Sequence, residues 1–216
     1  MTELIGGGES SMDGDKEMRV DCVEDGSTRV ELGRRILESI RPPAVPVEGT
    51  WSISLSSVIN HVFSVPGLAV RALSALDRFG SMRLSATSIG FDSDDVDWSA
   101  VTQISTTRLA DVLTDQALER EADRLKVLIP PLPGRKWILG KATAVLGGVS
   151  SAVLERVGHE ALERPVVSEI AFKGRLGRRR SMSPGLLATA LMGAYPTLME
   201  NITQIADRAG ATVVPT

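Results

Sequence analysis

The segment from Ser81 to Ser105, SMRLSATSIGFDSDDVDWSAVTQIS, leaves this chain few ways to fold. Leu84 leads its first arm and Ile89 and Phe91 close it, while Val96 and Trp98 carry the second arm at the alternating spacing of a half-buried strand. Between them stands Asp92-Ser93-Asp94-Asp95. Asp and Ser side chains bond their own backbone two residues on, so this run favours a turn. The pattern predicts strand, acidic turn, strand. No residue in it is a reactive centre.

The flanking sequence supplies helices. Trp51, Ile53 and Leu55 alternate as a short strand, and 57–79 then reads as a helix broken near Pro66. Ile59, Val62, Phe63, Val70, Leu73 and Leu76 share one face of it, and Gly80 stands where a C-cap glycine would. Beyond the hairpin, 109–129 is amphipathic, with Glu121–Arg124 and Asp123–Lys126 placed as ion pairs on the wet face. Pro130-Pro131-Leu132-Pro133-Gly134 stops that helix and makes an elbow. A second long helix runs from about Trp137 to Val157, with Ile138, Ala142, Val145, Val149 and Val153 on its apolar face. Its stretch from Trp137 to Leu154 holds one charge, so a membrane crossing must be weighed. Ala, Gly, Ser and Thr dominate it, which favours a buried or an interfacial helix and leaves those two open. A strand is expected over 165–173, followed by a basic turn. Ser183-Pro184 then reads as an N-cap with proline at N1, opening a helix through Leu191. Tyr195-Pro196 marks a break, 197–209 a last helix ending at Gly210, and Thr212-Val213-Val214 a sheet edge.

The first 48 residues differ in character. They hold 11 acids against 6 bases, with Gly, Ser and acid prominent up to Lys16. The expectation is an acidic, partly disordered arm over 1–48 and a single α+β domain over 49–216. Within the arm a small hairpin is expected around Asp25-Gly26, then a short helix over 34–40. At 216 residues the chain is long enough to bury a real core. No basic run followed by an apolar core opens the sequence, and Cys22 is the one cysteine, so a cytoplasmic location is expected.

The 81–105 segment also resembles the first strands of bacterial pleckstrin-homology-like (PH-like, GRAM-like) domains. The matching positions are Leu84, Thr87, Ile89 and Gly90 in the first arm, and Val96, Trp98, Val101 and Ile104 in the second. The likeness covers about 25 residues, and the helical sequence beyond Leu109 departs from a plain barrel of that family. It implies docking to a protein or a membrane surface and implies no reaction. The fold expected is therefore α+β: a small antiparallel sheet, PH-like in its first hairpin, packed against several amphipathic helices.

Reactive machinery is sparse. The two histidines are His61 and His159, and there is no G-x-S-x-G elbow. His159-Glu160-Ala161-Leu162-Glu163 lacks the second histidine of H-E-x-x-H, leaving too few ligands for zinc. From Gly134 to Gly140 there is one residue too many for a P-loop, and Ala142 stands where a hydroxyl should hold Mg²⁺. Asp92, Asp94, Asp95 and Asp97 fail as a calcium loop, because Asp97 replaces the required glycine and Gln103 the bidentate glutamate. No metal and no cofactor is expected.

One charge cluster stands out. Between Arg164 and Arg180 the chain has six bases and one acid, Glu169. Lys173, Arg175, Arg178, Arg179 and Arg180 are the candidate partner-binding residues, because guanidinium groups grip phosphate and carboxylate oxygens bidentately. The bland alternative is a solvated turn, or a partner for the acidic arm. The expected role is a non-enzymatic interaction module, first a cytoplasmic protein-binding adaptor using the apolar helix faces around 59–76 or 138–157. The alternative is a membrane-associated, lipid-binding protein that uses the arginine loop. A nucleic-acid-contacting protein comes last, because a net charge of −3 and 4% aromatic residues count against it. Homo-oligomerisation stays open.

Overall fold

The computed structural model describes residues 26–156, 162–174 and 176–215. The fold is α+β, with two four-stranded sheets and eight α-helices among the described residues. The first sheet is antiparallel throughout, in the order β1 (Thr50–Ile53), β2 (Met82–Ser85), β3 (Ser88–Phe91) and β4 (Asp94–Asp97). Leu84, Ile89 and Val96 stand opposite one another across β2, β3 and β4, and all three are buried. Cross-strand apolar pairs of this kind fix the register, since a one-residue slip would turn them to solvent.

The hairpin expected over 81–105 is present but divided differently. Its first arm bends between β2 and β3, where Ser85 Oγ accepts the N–H groups of Thr87 (3.2 Å) and Ser88 (2.9 Å). Its second arm leaves the first sheet at Trp98, in a 3₁₀ turn over Trp98–Ala100. The Trp98 indole N–H donates to Ser85 O at 3.0 Å and its backbone N–H to Thr87 O at 3.0 Å. Trp98 thus pins the crossing to the first sheet while β5 (Val101–Arg108) enters the second. The eight positions behind the PH-like resemblance are consequently spread over both sheets, with Thr87 and Trp98 in the turns between strands.

The second sheet runs in the order β7 (Arg179–Met182), β6 (Pro165–Lys173), β5 and β8 (Thr212–Pro215). It is mixed, because β8 joins β5 in parallel while the other pairs are antiparallel. Val167, Ile170, Phe172 and Met182 are buried, so one face of this sheet belongs to the core. The helix α7 (Leu186–Ala194), whose first eight residues are all buried, packs against β6, and α8 (Pro196–Ala209) runs beside β5 and β8. Gly210 ends α8 in the left-handed conformation (φ 75°).

The long apolar helix is α6 (Arg135–Arg156), and the five residues expected on its apolar face are all buried. By length and composition alone it could cross a membrane, yet more than half of its most apolar window is buried inside this fold. It packs against α1 (Gly26–Ser39), α2 (Leu55–Val62), α5 (Asp115–Leu128) and α7. The helix expected over 57–79 is α2, then α3 (Val70–Ser74) between two 3₁₀ turns. That expected over 109–129 is α4 (Leu109–Val112) followed by α5.

Two local expectations are corrected. Asp25 lies outside the described residues, but from Gly26 the chain is helical, not a hairpin arm. The alternation Val30-Glu31-Leu32 suits a strand, but Leu32, Ile36 and Leu37 also share a helix face, and burial against α6 decides between the periods. This helix, which falls within the expected arm, contributes those residues to the same core as 49–215. The other correction concerns Ser183-Pro184: α7 starts at Leu186 with Gly185 at its N-cap. The Leu186 N–H is held instead by the Glu121 carboxylate, at 3.1 Å.

Candidate functional site

The basic cluster forms the hairpin between β6 and β7. Lys173 stands opposite Arg179, and Phe172 opposite Arg180. Gly174 N–H donates to Arg178 O at 2.9 Å and Gly177 N–H to Gly174 O at 2.9 Å, which closes the turn. Gly177 holds φ at 69°, a conformation that glycine adopts without steric cost. At Gly174 a side chain would come within 3.0 Å of Arg180 Cδ, so the Arg180 stem lies across that glycine.

Strand β7 is the outer strand of its sheet, and alternation along it sorts the bases. Met182 points into the core, so Arg180 continues that face beyond the core's margin while Arg179 takes the other. Arg179 Nη2 donates to Gln103 Oε1 at 3.3 Å, reaching across β6 to β5. Thr102, Gln103, Lys173, Gly177 and Arg179 line a shallow hollow of about 330 Å³. Lys173, Arg178, Arg179 and Arg180 are all exposed, and among the described residues none of the four forms an ion pair. Leu176, at the tip between them, is 83% exposed. Arg175 lies outside the described residues. Arg164 does not join the cluster: it precedes β6, and nine residues of strand put it about 30 Å from the turn. Lysine and arginine on an outer strand also discourage edge-to-edge aggregation, which is the structural reason for such bases. An exposed leucine at the tip is not part of that protection.

The other sequence candidates disperse. The four aspartates of 92–97 point to different partners. Asp95 pairs with Arg83 Nε at 3.4 Å, Asp94 and Asp97 are exposed, and Asp92 turns inward. Gly140 lies within α6, so the glycine pair of 134–140 encloses no loop. His159 and Glu160 lie outside the described residues. Glu163 pairs with Arg108 at 3.4 Å, and His61 lines an open hollow of about 300 Å³ with Arg41 and Trp51. Among the described residues no three His, Cys, Asp or Glu side chains gather as a metal-binding group.

A buried junction escaped the sequence reading. Glu121, expected on the wet face of its helix, is buried at 7% exposure. Its Oε1 accepts from Leu186 N–H, the first N–H of α7, and its Oε2 lies 3.5 Å from Arg124. Arg124 also reaches Asp92 Oδ2 at 3.6 Å and lies over the Phe79 ring at 5.2 Å. Asp92 holds a positive φ (54°) and accepts from Gly80 N–H at 2.7 Å. Burial raises its carboxyl pKa above the ordinary 3.8, against the opposing pull of the Gly80 N–H and Arg124. The only sequence signal was the i,i+3 spacing of Glu121 and Arg124; the helix end that Glu121 serves lies 65 positions on. Two carboxylates, one guanidinium and a helix N-terminus join α5, α7 and the β3–β4 turn, with every acceptor engaged by the fold itself. The junction fastens these three elements together.

No known family model matches the chain, and neither a curated protein nor a solved structure matches it.

Proposed function

We propose that this chain is a non-enzymatic interaction module that docks on an anionic membrane surface through its β6–β7 hairpin. The observation that carries the reading is Leu176, 83% exposed at a tip flanked by Lys173, Arg178, Arg179 and Arg180, none of them ion-paired among the described residues. An apolar tip among cations suits the boundary between headgroups and acyl chains. The apolar helix faces offered for an adaptor are mostly turned inward: Ile59 and Leu76 are fully buried, as are Ile138, Val145, Val149 and Val153, while Val70 is 55% exposed.

Co-sedimentation with phosphatidylserine-containing and neutral vesicles, at low and high salt, tests the proposal. Each basic side chain near an anionic leaflet contributes about 1 kcal/mol, so R178A/R179A/R180A should bind on the order of 100-fold more weakly. Binding should also weaken as salt rises. Absence of binding, or equal binding by the triple variant, refutes the hairpin as the site.

A further inference from the structure

Five of the eight large apolar side chains exposed among the described residues gather at one corner of the fold. They are Leu68 (56%), Val70 (55%), Val127 (85%), Leu128 (50%) and Leu132 (37%). The corner is built by the proline elbow between α5 and α6. Gly134, at φ 83°, brings it against 68–69: a side chain there would sit 3.0 Å from Leu68 Cδ1 and 2.7 Å from Ala69 Cα. Arg135 Nη2 donates to Lys126 O, which ties the start of α6 to the end of α5. Behind the lip, half-buried Trp137 and Phe63 meet edge to face with centroids 6.5 Å apart, and Lys141 Nζ lies 4.7 Å over the Phe63 ring.

The charge around this corner has one dominant sign. From Arg124 to Leu154 the chain has five bases and no acid. Arg124 turns to the Glu121 junction, which leaves Lys126, Arg135, Lys136 and Lys141 around the elbow. The nearest acid along the chain, Asp123, pairs with Lys126 at 2.9 Å. Three of the four bases are lysines, which are depleted at the cores of protein–protein interfaces. A lysine instead keeps its ammonium at headgroup level while its stem lies along apolar surface. Aliphatic tips, an amphipathic tryptophan behind them and lysines around the rim are what an anionic bilayer interface accommodates.

We infer that the α5–α6 elbow is a second, independent membrane-contacting surface, and that its occupant is an anionic lipid bilayer. The inference extends the proposed membrane docking but does not use the hairpin. The test is quenching of tryptophan emission by brominated phosphatidylcholine–phosphatidylserine vesicles, in the full chain. Trp98 is 3% exposed and Trp51 lies in β1, so W137F isolates the contribution from the elbow. Quenching that W137F loses, with vesicle binding at least about tenfold weaker in L68S/L132S, supports the inference. Both leucines are exposed, so that variant leaves the core intact. Binding without quenching of Trp137 overturns the elbow and spares the hairpin. Quenching that persists in R178A/R179A/R180A, with affinity unchanged, supports the elbow and overturns the hairpin. No binding to any vesicle overturns both.

Discussion

Replacing Gly33 by alanine tests whether α1 is seated on α6 as the fold requires. Alanine is the better helix former by about 1 kcal/mol, so a loosely attached α1 would be stabilised by the change. The seated helix has no room for it. A Cβ at residue 33 would lie 1.8 Å from Gly148 O, 2.3 Å from Gly148 C and 2.8 Å from Ala152 Cβ. The first two atoms are backbone and cannot rotate away. The helices must part by more than about 1 Å, a gap that forfeits a quarter to a half of the dispersion attraction across it. Leu32, Ile36 and Leu37 are all buried, and burying such side chains stabilises by about 1.5–3 kcal/mol each. Losing a quarter to a half of about 6 kcal/mol outweighs the gain in propensity, for a net loss of about 0.5–2 kcal/mol. Gly148→Ala is the internal comparison, because its nearest atoms are Arg29 O at 3.0 Å and Gly33 N at 3.2 Å. A shift of a few tenths of an ångström relieves that contact, and propensity roughly offsets it, within about 0.5 kcal/mol. Urea unfolding followed by far-ultraviolet circular dichroism reads both differences as shifts in midpoint. A Gly33→Ala protein as stable as wild type, or more stable, would refute the packing of α1 on α6.

Two further outcomes concern the buried junction. Glu121→Ala removes the acceptor of the Leu186 N–H and a negative charge at the start of α7. It should cost about 2–4 kcal/mol in urea unfolding, whereas Glu121→Gln keeps an acceptor and should cost about 1 kcal/mol or less. Equal losses in the two variants would mean that the hydrogen bond to α7 is not what Glu121 supplies. Asp92→Asn addresses pH. Because burial raises the Asp92 pKa in the folded state, the folded protein takes up that proton before the unfolded chain does. This carboxyl therefore adds stability as pH falls from its raised native pKa towards the ordinary 3.8, and opposes folding above that window. Comparing urea midpoints of wild type and Asp92→Asn from pH 7 down to 4 should show the variant losing that acid-side gain. Parallel pH profiles would assign the dependence to other groups.

What the sequence made legible was local. The proline elbow, the apolar face of α6, β6, the break at Tyr195 and the end of α8 at Gly210 each rest on a few neighbouring residues. What it hid depends on partners far away. Val30-Glu31-Leu32 carries both periods, and the surface of α6 near Gly148, more than a hundred positions on, selects the helix. Trp98 keeps strand-like alternation with Val96, but its indole bond to Ser85 O holds it at a crossing between sheets. Glu121 looks like a surface acid because its spacing to Arg124 is that of a solvated pair. The basic hairpin was recognisable from its arginines, but the elbow corner was not. Its apolar residues come from 68–70 and 127–132, and only the approach of Gly134 to Ala69 joins them.

Net charge shows the same distinction between an average and a place. The chain's 27 acids and 24 bases give −3, which on its face argues against any polyanionic partner. Eight of those acids and only two of the bases fall in residues 1–25, leaving 19 acids against 22 bases from residue 26 onward. Of those 19, Glu31, Asp92, Asp95, Asp111, Glu121, Asp123, Glu155 and Glu163 are already paired with arginine or lysine. The bases of the β6–β7 hairpin have no such partner among the described residues, and Lys136 at the elbow has none either. Screening confines each charge to about 8 Å at physiological salt, so an approaching surface responds to these local cations and not to the sum over the chain. The overall charge of −3 therefore does not count against the two proposed bilayer contacts.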